Sequence, residues 1–337
     1  MKLVLRTALV LGLAVMIVLV VREGGPPILT LLSSAGWILL LLVPLHALPL
    51  LLDVLGWRLL IQRMAHTPSL AVLFWIASIR EAIDRLLPVA NVGGEIAGIR
   101  LLSATGIEGT AAAATVVFEL LLTLVSQYLF ITLGIVLALR STHSSEPLGG
   151  LLLGLGCGLV LIALLAALLR YGSVFERLEA FLHRLLRMSR GALPSGWALA
   201  DGPDAAGSWK QLDANIHRLY ETRARLAVTV FWQLCGLTCG TFETWLALRW
   251  LGHPVDFDDC VALESIAQAI RQLIFLVPAG LGVQEAGLIG LGDVLGLAPD
   301  VAITLSLVKR MREILFGVPA LISWQWVEGW RGLPRKT

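Results

Sequence analysis

Two short stretches place a glutamate seven residues after a proline, with glycines between: Pro88-Val-Ala-Asn-Val-Gly93-Gly94-Glu95 and Pro278-Ala-Gly280-Leu-Gly282-Val-Gln284-Glu285. Near the first lie Arg80, Glu81, Asp84, Arg85 and Arg100, and near the second Glu264, Arg271, Gln272 and Asp293. Carboxylates can carry protons or hold cations, and arginine matches phosphate and carboxylate groups in a bidentate fashion. Both stretches sit within apolar sequence, where each ionisable group costs at least ~2.5–3.5 kcal/mol at bilayer depth and normally faces a bundle interior or a wet cavity. The residues expected to hold a polar or charged head group are therefore Arg80, Asp84, Arg85, Pro88, Gly94, Glu95, Arg100, Arg271, Pro278, Gly280, Gly282 and Glu285. The glycines let the backbone bend and free N–H groups at the helix starts that follow. A purely structural reading stands beside this one: Arg80 with Asp84 and Glu81 with Arg85 are i,i+4 pairs that could neutralise one helix face.

The elements that must position these residues follow from composition. Of 337 residues, 57% are apolar and 15% charged, against about 45–50% and 25% in a soluble domain; mean hydropathy is +0.82. Such a chain is an all-α, polytopic integral membrane bundle. Apolar runs cover Leu3 to Val21, Leu31 to Leu52, Ser69 to Val89, Ala111 to Leu139, Leu148 to Leu169, Leu226 to Leu251, Val261 to Leu297 and Val301 to Val327. The first follows Lys2 and Arg6 but lacks a small-x-small cleavage site, so it reads as a retained helix. The polar stretch Arg170 to Arg225 carries nine Lys and Arg, which makes it cytoplasmic, whereas His253 to Asp259 carries three Asp and no Lys or Arg and belongs outside. Trp324, Trp326 and Trp330 before Arg331, Arg335 and Lys336 indicate a cytoplasmic C-terminus.

Counting crossings from that basic loop leaves two segments, about 70–104 and 261–297, that must return to the side they came from. Both are expected to be re-entrant helical hairpins, which are tolerated only where they line a cavity or are buried in protein. The two proline–glutamate stretches lie 190 residues apart, and that offset carries Ala111 to Leu139 onto Val301 to Val327 with reversed direction. This is the pattern of an inverted-topology repeat whose broken helices meet at a substrate site. The expected organisation is 1–169 as one membrane half, 170–225 as a cytoplasmic basic loop, and 226–337 as the second half. Glu119 and Lys309 hold repeat-equivalent positions and could pair across the halves. Lys309, Arg310, Arg312 and Glu313 are otherwise expected to snorkel at the outer interface.

The stretch from Leu87-Pro88 to Arg100-Leu101-Leu102, with Phe275 to Glu285, resembles the transmembrane region of lysylphosphatidylglycerol synthases, a flippase-like membrane family. Val92-Gly93-Gly94-Glu95, Gly98, Arg100 and Trp324-Gln325-Trp326-Val327-Glu328-Gly329 look most like members associated with hopanoid biosynthesis. The resemblance implies a bacterial inner-membrane protein that moves or presents a lipid, hopanoid or phospholipid, between leaflets. It transfers the family pattern onto Pro88, Gly94, Glu95, Arg100, Pro278, Gly280, Gly282 and Glu285. The chain stops at Thr337 without the soluble domain of aminoacyl-transferring members, so lysine transfer is not expected. The competing readings are an intramembrane lipid transferase and a scaffold for lipid-biosynthesis enzymes.

Other chemistry has weaker support. Asp256-Phe257-Asp258-Asp259 spells DxDD but sits in a short polar loop, where Asp258 or Asp259 capping the next helix is the better account. The six histidines are dispersed without HExxH, and no phosphate-binding glycine loop follows a strand, so no metal, nucleotide or other cofactor is expected. Cys157, Cys235, Cys239 and Cys260 lack metal spacing and read as packing residues. A net charge of +2 gives no reason to expect nucleic acid. Phe175 to Met188 has the helical apolar spacing and Arg177, Arg184 and Arg187 of a membrane-surface helix, or of an ordinary connector.

Overall fold

A computed structural model describes residues 30, 33–63, 66–87, 93–141, 156, 211, 214–216, 218–219, 223–273 and 298–332. The expected helices at 3–21 and 148–169, most of the basic loop, Pro88 and the tip of the second hairpin with Pro278, Gly280, Gly282 and Glu285 lie outside these residues.

Among the described residues every regular element is helical. A 3-10 turn at Gly36–Leu41 runs into α1 (Leu42–Leu45) and, past a turn at His46, into α2 (Ala47–Ile61). Two prolines account for this breakage. Pro44 has no N–H for the Leu40 carbonyl and Pro49 none for that of Leu45, and each ring crowds the same carbonyl. His46 itself keeps helical backbone angles and its N–H donates to the Leu42 carbonyl at 3.0 Å, so Ser33–Ile61 runs on as one helical rod. α3 (Leu70–Leu86) starts at Ser69, whose hydroxyl accepts the Val72 N–H at 3.4 Å. It buries Leu73, Ile76, Ala77, Ile79, Arg80 and Ile83, the 3–4 spacing of one helix face. It stops two residues before Pro88, where helical geometry is disfavoured.

α4 (Gly93–Ser103) then folds back along α3. A Cβ on Gly98 would stand 2.6 Å from Arg80 Cδ, while Gly94 lies against Asp84 and the Arg80 carbonyl. Numbers fall on one helix as they rise on the other, so the two are antiparallel. α3 has 17 residues and α4 has 11, about 25 and 16 Å of helix against roughly 30 Å of hydrocarbon. The helix after them, α5 (Gly109–Ser141), has 33 residues.

The second group is α6 (Arg223–Trp250), α7 (Phe257–Leu273) and α8 (Pro299–Gly332). α6 ends on Gly252 at φ +83°. The Gly252 N–H donates to Arg249 and the His253 N–H to Leu248, the Schellman arrangement that needs a left-handed residue. Asp258 and Asp259 lie inside the first turn of α7, where they complement the helix dipole, and the Cys260 N–H donates to the Asp256 carbonyl rather than to either side chain.

Glycines set how the helices pair. α2 lies antiparallel on α6, with Gly56 against Thr229 and Gly236 against Asp53 and Pro49; Thr229 Oγ1 donates to the Gly56 carbonyl at 3.2 Å. α7 packs on α5 where Gly134 meets Ser265 and the Val261 carbonyl. α8 packs on α3, where Trp75 Nε1 donates to Ser323 Oγ at 2.8 Å and Gly317 meets Leu86 and Ala82. A side chain at Gly134 would overlap Ser265, so Gly134→Val is expected to cost about 1–3 kcal/mol. Thermal unfolding in detergent measures this, and Ser265→Gly in the same chain is expected to recover part of the loss; unchanged melting would show that α5 and α7 do not meet there.

Two described helices, Ser33–Ile61 and Gly109–Leu137, are long and apolar enough to cross a membrane, with 29 residues each. Trp37, Ile322 and Trp326 stand 86%, 63% and 67% exposed on the outside, the reverse of a water-soluble surface.

Candidate functional site

The interior of this bundle holds charge. Arg80, on the buried face of α3, donates from Nη2 to Glu95 Oε2 of α4 and from Nη1 to Glu119 Oε2 of α5, both at 2.6 Å. Its guanidinium lies 4.8 Å from the ring centre of Trp57 in α2, within cation–π range. One side chain thus ties three helices to α3, and the bare Gly98 leaves room for its stem. Next to it, Asp84 Oδ1 accepts the Gly94 N–H at 2.9 Å and satisfies a donor left free in the first turn of α4.

A second group forms around His46. Nε2 faces Glu81 at 3.0 Å and Nδ1 faces Glu243 of α6 at 3.2 Å, contacts that both ring N–H groups can make in the imidazolium form. Glu243 also takes Arg312 of α8 as partner. Arg85 reaches Glu81 at 4.0 Å and Glu313 at 3.8 Å, and Arg310 reaches Glu313 at 3.0 Å. Phe316 meets the His46 ring edge-on at 5.0 Å. A third pair joins Lys309 of α8 to Glu264 of α7 at 2.6 Å. Gln233 of α6 completes the polar set, donating to Thr123 at 2.8 Å and accepting from Ser126 at 2.9 Å.

Asp53 differs from these carboxylates. It is partly buried on α2, in electrostatic reach of Glu119, Glu81, Arg80 and His46, and among the described residues it makes no hydrogen bond or ion pair.

Arg80, Asp84, Arg85, Gly94 and Glu95, singled out by sequence, are thus brought together. Arg100 is exposed on α4, and Arg271 lies in α7 with its side chain outside the described residues. Three expectations are corrected. Arg80 and Asp84 do not pair with each other; Arg80 bridges Glu95 and Glu119 while Asp84 holds a backbone N–H. Glu119 and Lys309 do not meet, because each has a nearer partner, Arg80 and Glu264. Lys309 and Glu313 are 8% and 6% exposed, inside the bundle rather than at its rim, because oppositely charged residues of neighbouring helices await them there. His46, Asp53 and Glu243 were not anticipated. A signal for two of them was present: Asp53 and Glu243 stand 190 positions apart, the offset of the proline–glutamate stretches.

Long apolar helices enclosing paired charges define an integral membrane protein organised around a polar interior. The chain belongs to the lysylphosphatidylglycerol synthase transmembrane-region family, whose model matches residues 4–320. It is 21% identical over 323 residues to a UPF0104 membrane protein of Pyrococcus horikoshii, covering 94% of each chain. No solved structure matches it.

Proposed function

We propose that this protein lets a lipid head group cross the bilayer through a polar path between two inverted halves while the acyl chains stay in hydrocarbon. The observation that carries the reading is the charge network itself, because it joins helices of both halves: His46 of the first to Glu243 of the second, and Arg85 of the first to Glu313 of the second. A scaffold would have little reason to bear the cost of so many interior charges.

The helix pattern supports the inverted repeat. Adding 190 to the bounds of α5 gives 299–331, and α8 is Pro299–Gly332. The same shift carries α3 to 260–276, over α7 at Phe257–Leu273. Packing exchanges in the same way: α3 rests on α8 as α7 rests on α5. The Gly134–Ser265 contact maps onto Trp324 and Trp75, and Trp75 bonds Ser323. α3 and α4 are the first re-entrant hairpin in this arrangement, which sits in the bacterial inner membrane with its C-terminus in the cytoplasm.

The charges also bear on the cargo. Every interior arginine described above already has a carboxylate partner: six carboxylates share five Lys and Arg side chains and His46, while Asp84 and Asp53 pair with no cation among the described residues. With Asp84 and Asp53 in excess of the cations, an amine-bearing head group passing through the polar path suits this interior better than a bare phosphate, in keeping with a family named for a lysyl lipid.

The test is reconstitution into vesicles with leaflet-specific labelling of an amine-bearing phospholipid, phosphatidylglycerol and a hopanoid. The protein is expected to redistribute the first, unchanged in mass, at least tenfold faster than protein-free vesicles. A product of altered mass would instead assign a transferase, and no redistribution of any of the three would reject transport.

A further inference from the structure

We infer that Asp53 is a proton-binding site through which lipid movement is coupled to a proton gradient; the coupling, though not the proton site, rests on the transport reading above. The argument begins with the repeat counterpart of Asp53, which is Glu243. Glu243 is 2% exposed and held by two cationic partners, His46 and Arg312. Shifting those partners by 190 gives Gly236 and Leu122, neither of which can neutralise a carboxylate. Gly236 does more than leave the place empty. A Cβ there would stand 2.7 Å from Asp53 Oδ1, so the smallest residue admits the carboxyl to the seam between α2 and α6. Among the described residues, Glu243 carries its own counter-cations and Asp53 has none.

A proton can complete a carboxyl placed in this way. The groups facing Asp53 select that partner. From α5 comes Glu119, from α3 Arg80 and Glu81, from the turn before α2 His46, and from α6 Cys239. The cations among them are already held by carboxylates, and a seam that admits only a glycine against Asp53 has space for a proton but none for a metal ion or a head-group ammonium. The step is simple: the Asp53 carboxylate takes a proton from water on one side to become a neutral carboxyl, and returns it on the other.

The consequence reaches the first hairpin. Ionised Asp53 competes with Glu119 for the field of Arg80, and protonated Asp53 leaves that guanidinium to Glu119 and Glu95. Proton binding therefore adjusts how firmly Arg80 holds α4.

Two measurements on the full-length protein test this. Infrared pH-difference spectra are expected to show the C=O stretch of a protonated carboxyl, sensitive to deuterium exchange, that is lost in Asp53→Asn and displaced but retained in Asp53→Glu. In vesicles, an imposed pH gradient is expected to bias the labelled lipid toward one leaflet with wild-type protein, and the bias is expected to vanish with Asp53→Asn. A band that survives Asp53→Asn, or one that sodium abolishes at constant pH, would overturn the proton site. Should Asp53→Asn fail to fold, an undisplaced band in Asp53→Glu overturns it equally. Wild-type protein that moves no lipid but shows the Asp53 band would reject the transport reading while leaving the proton site standing. Lipid movement that ignores the gradient in wild type would reject the coupling alone.

Discussion

Replacing Arg80 with leucine is expected to lower folding stability by about 3–5 kcal/mol, the cost of stranding a buried charge after removing its partner. Here two carboxylates lose a hydrogen bond at once, Glu95 and Glu119, each held at 2.6 Å. Arg80 is 9% exposed and Glu119 8%, so water cannot easily replace the guanidinium. Trp57 also loses its cation, a smaller contribution. For a protein of this size the loss corresponds to a melting point lower by roughly 4–7 °C, read by thermal unfolding in detergent. The triple change Arg80→Leu, Glu95→Gln, Glu119→Gln removes the stranded charges and is expected to recover most of the stability, since apolar or neutral replacement of a whole buried network is often tolerated. Lipid redistribution is expected to stay lost in the triple variant, because the head group no longer meets charge. An Arg80→Leu protein that melts with the wild type would show that Glu95 and Glu119 are not buried beside it.

Glu243→Leu is the second large effect, again about 3–5 kcal/mol. Glu243 is the point where the α1–α2 turn, α6 and α8 meet, through His46 and Arg312. His46 keeps Glu81 and suffers less. Arg312 takes most of the loss, since its side chain is 12% exposed and its Nε has no hydrogen-bond partner. A double-mutant cycle with Arg312→Leu isolates the pair: Glu243→Leu and Arg312→Leu together are expected to cost less than the two singly by at least about 1 kcal/mol. Strict additivity would mean that the two residues do not interact. The contrast with Asp53, which has no such partner to strand among the described residues, is direct. Asp53→Asn removes a charge without orphaning another and is expected to melt close to the wild type.

Much of the helix layout was readable from hydropathy. Ala111 to Leu139 and Val301 to Val327 are the cores of α5 and α8, because long apolar runs with few breakers leave the backbone no alternative in a membrane. The break before α4 was readable for the same reason in reverse, from Pro88 and the glycines after it. Pairing was less readable. Arg80 and Asp84 satisfy the i,i+4 rule, yet Glu95 and Glu119 lie 15 and 39 residues away, and local spacing carries no information about which helix a buried face meets. Lys309 to Glu313 looked like an interfacial cluster because a dense charge run normally seeks water; the matching charges that hold it inside, Arg85, Glu243 and Glu264, are scattered singly over α3, α6 and α7. Lone polar residues such as His46, Asp53 and Glu243 disturb an apolar run too little for periodicity to register. Only the 190-residue offset of the two proline–glutamate stretches could have linked the last two.

The way α3 leans on α8 governs how the chain can be made. Trp75 and Ser323 are 248 residues apart, which a ribosome adding about 5–20 residues per second covers in roughly 12–50 s. Throughout that interval the newborn α3, with Arg80 and Glu81 on it, has entered the insertion machinery while its companion is still untranslated. Arg80 and Glu81 find Glu95, Glu119 and His46 without it, but the face carrying Trp75 does not, so a protein severed between residues 141 and 223 is expected to accumulate only when both pieces are synthesised together.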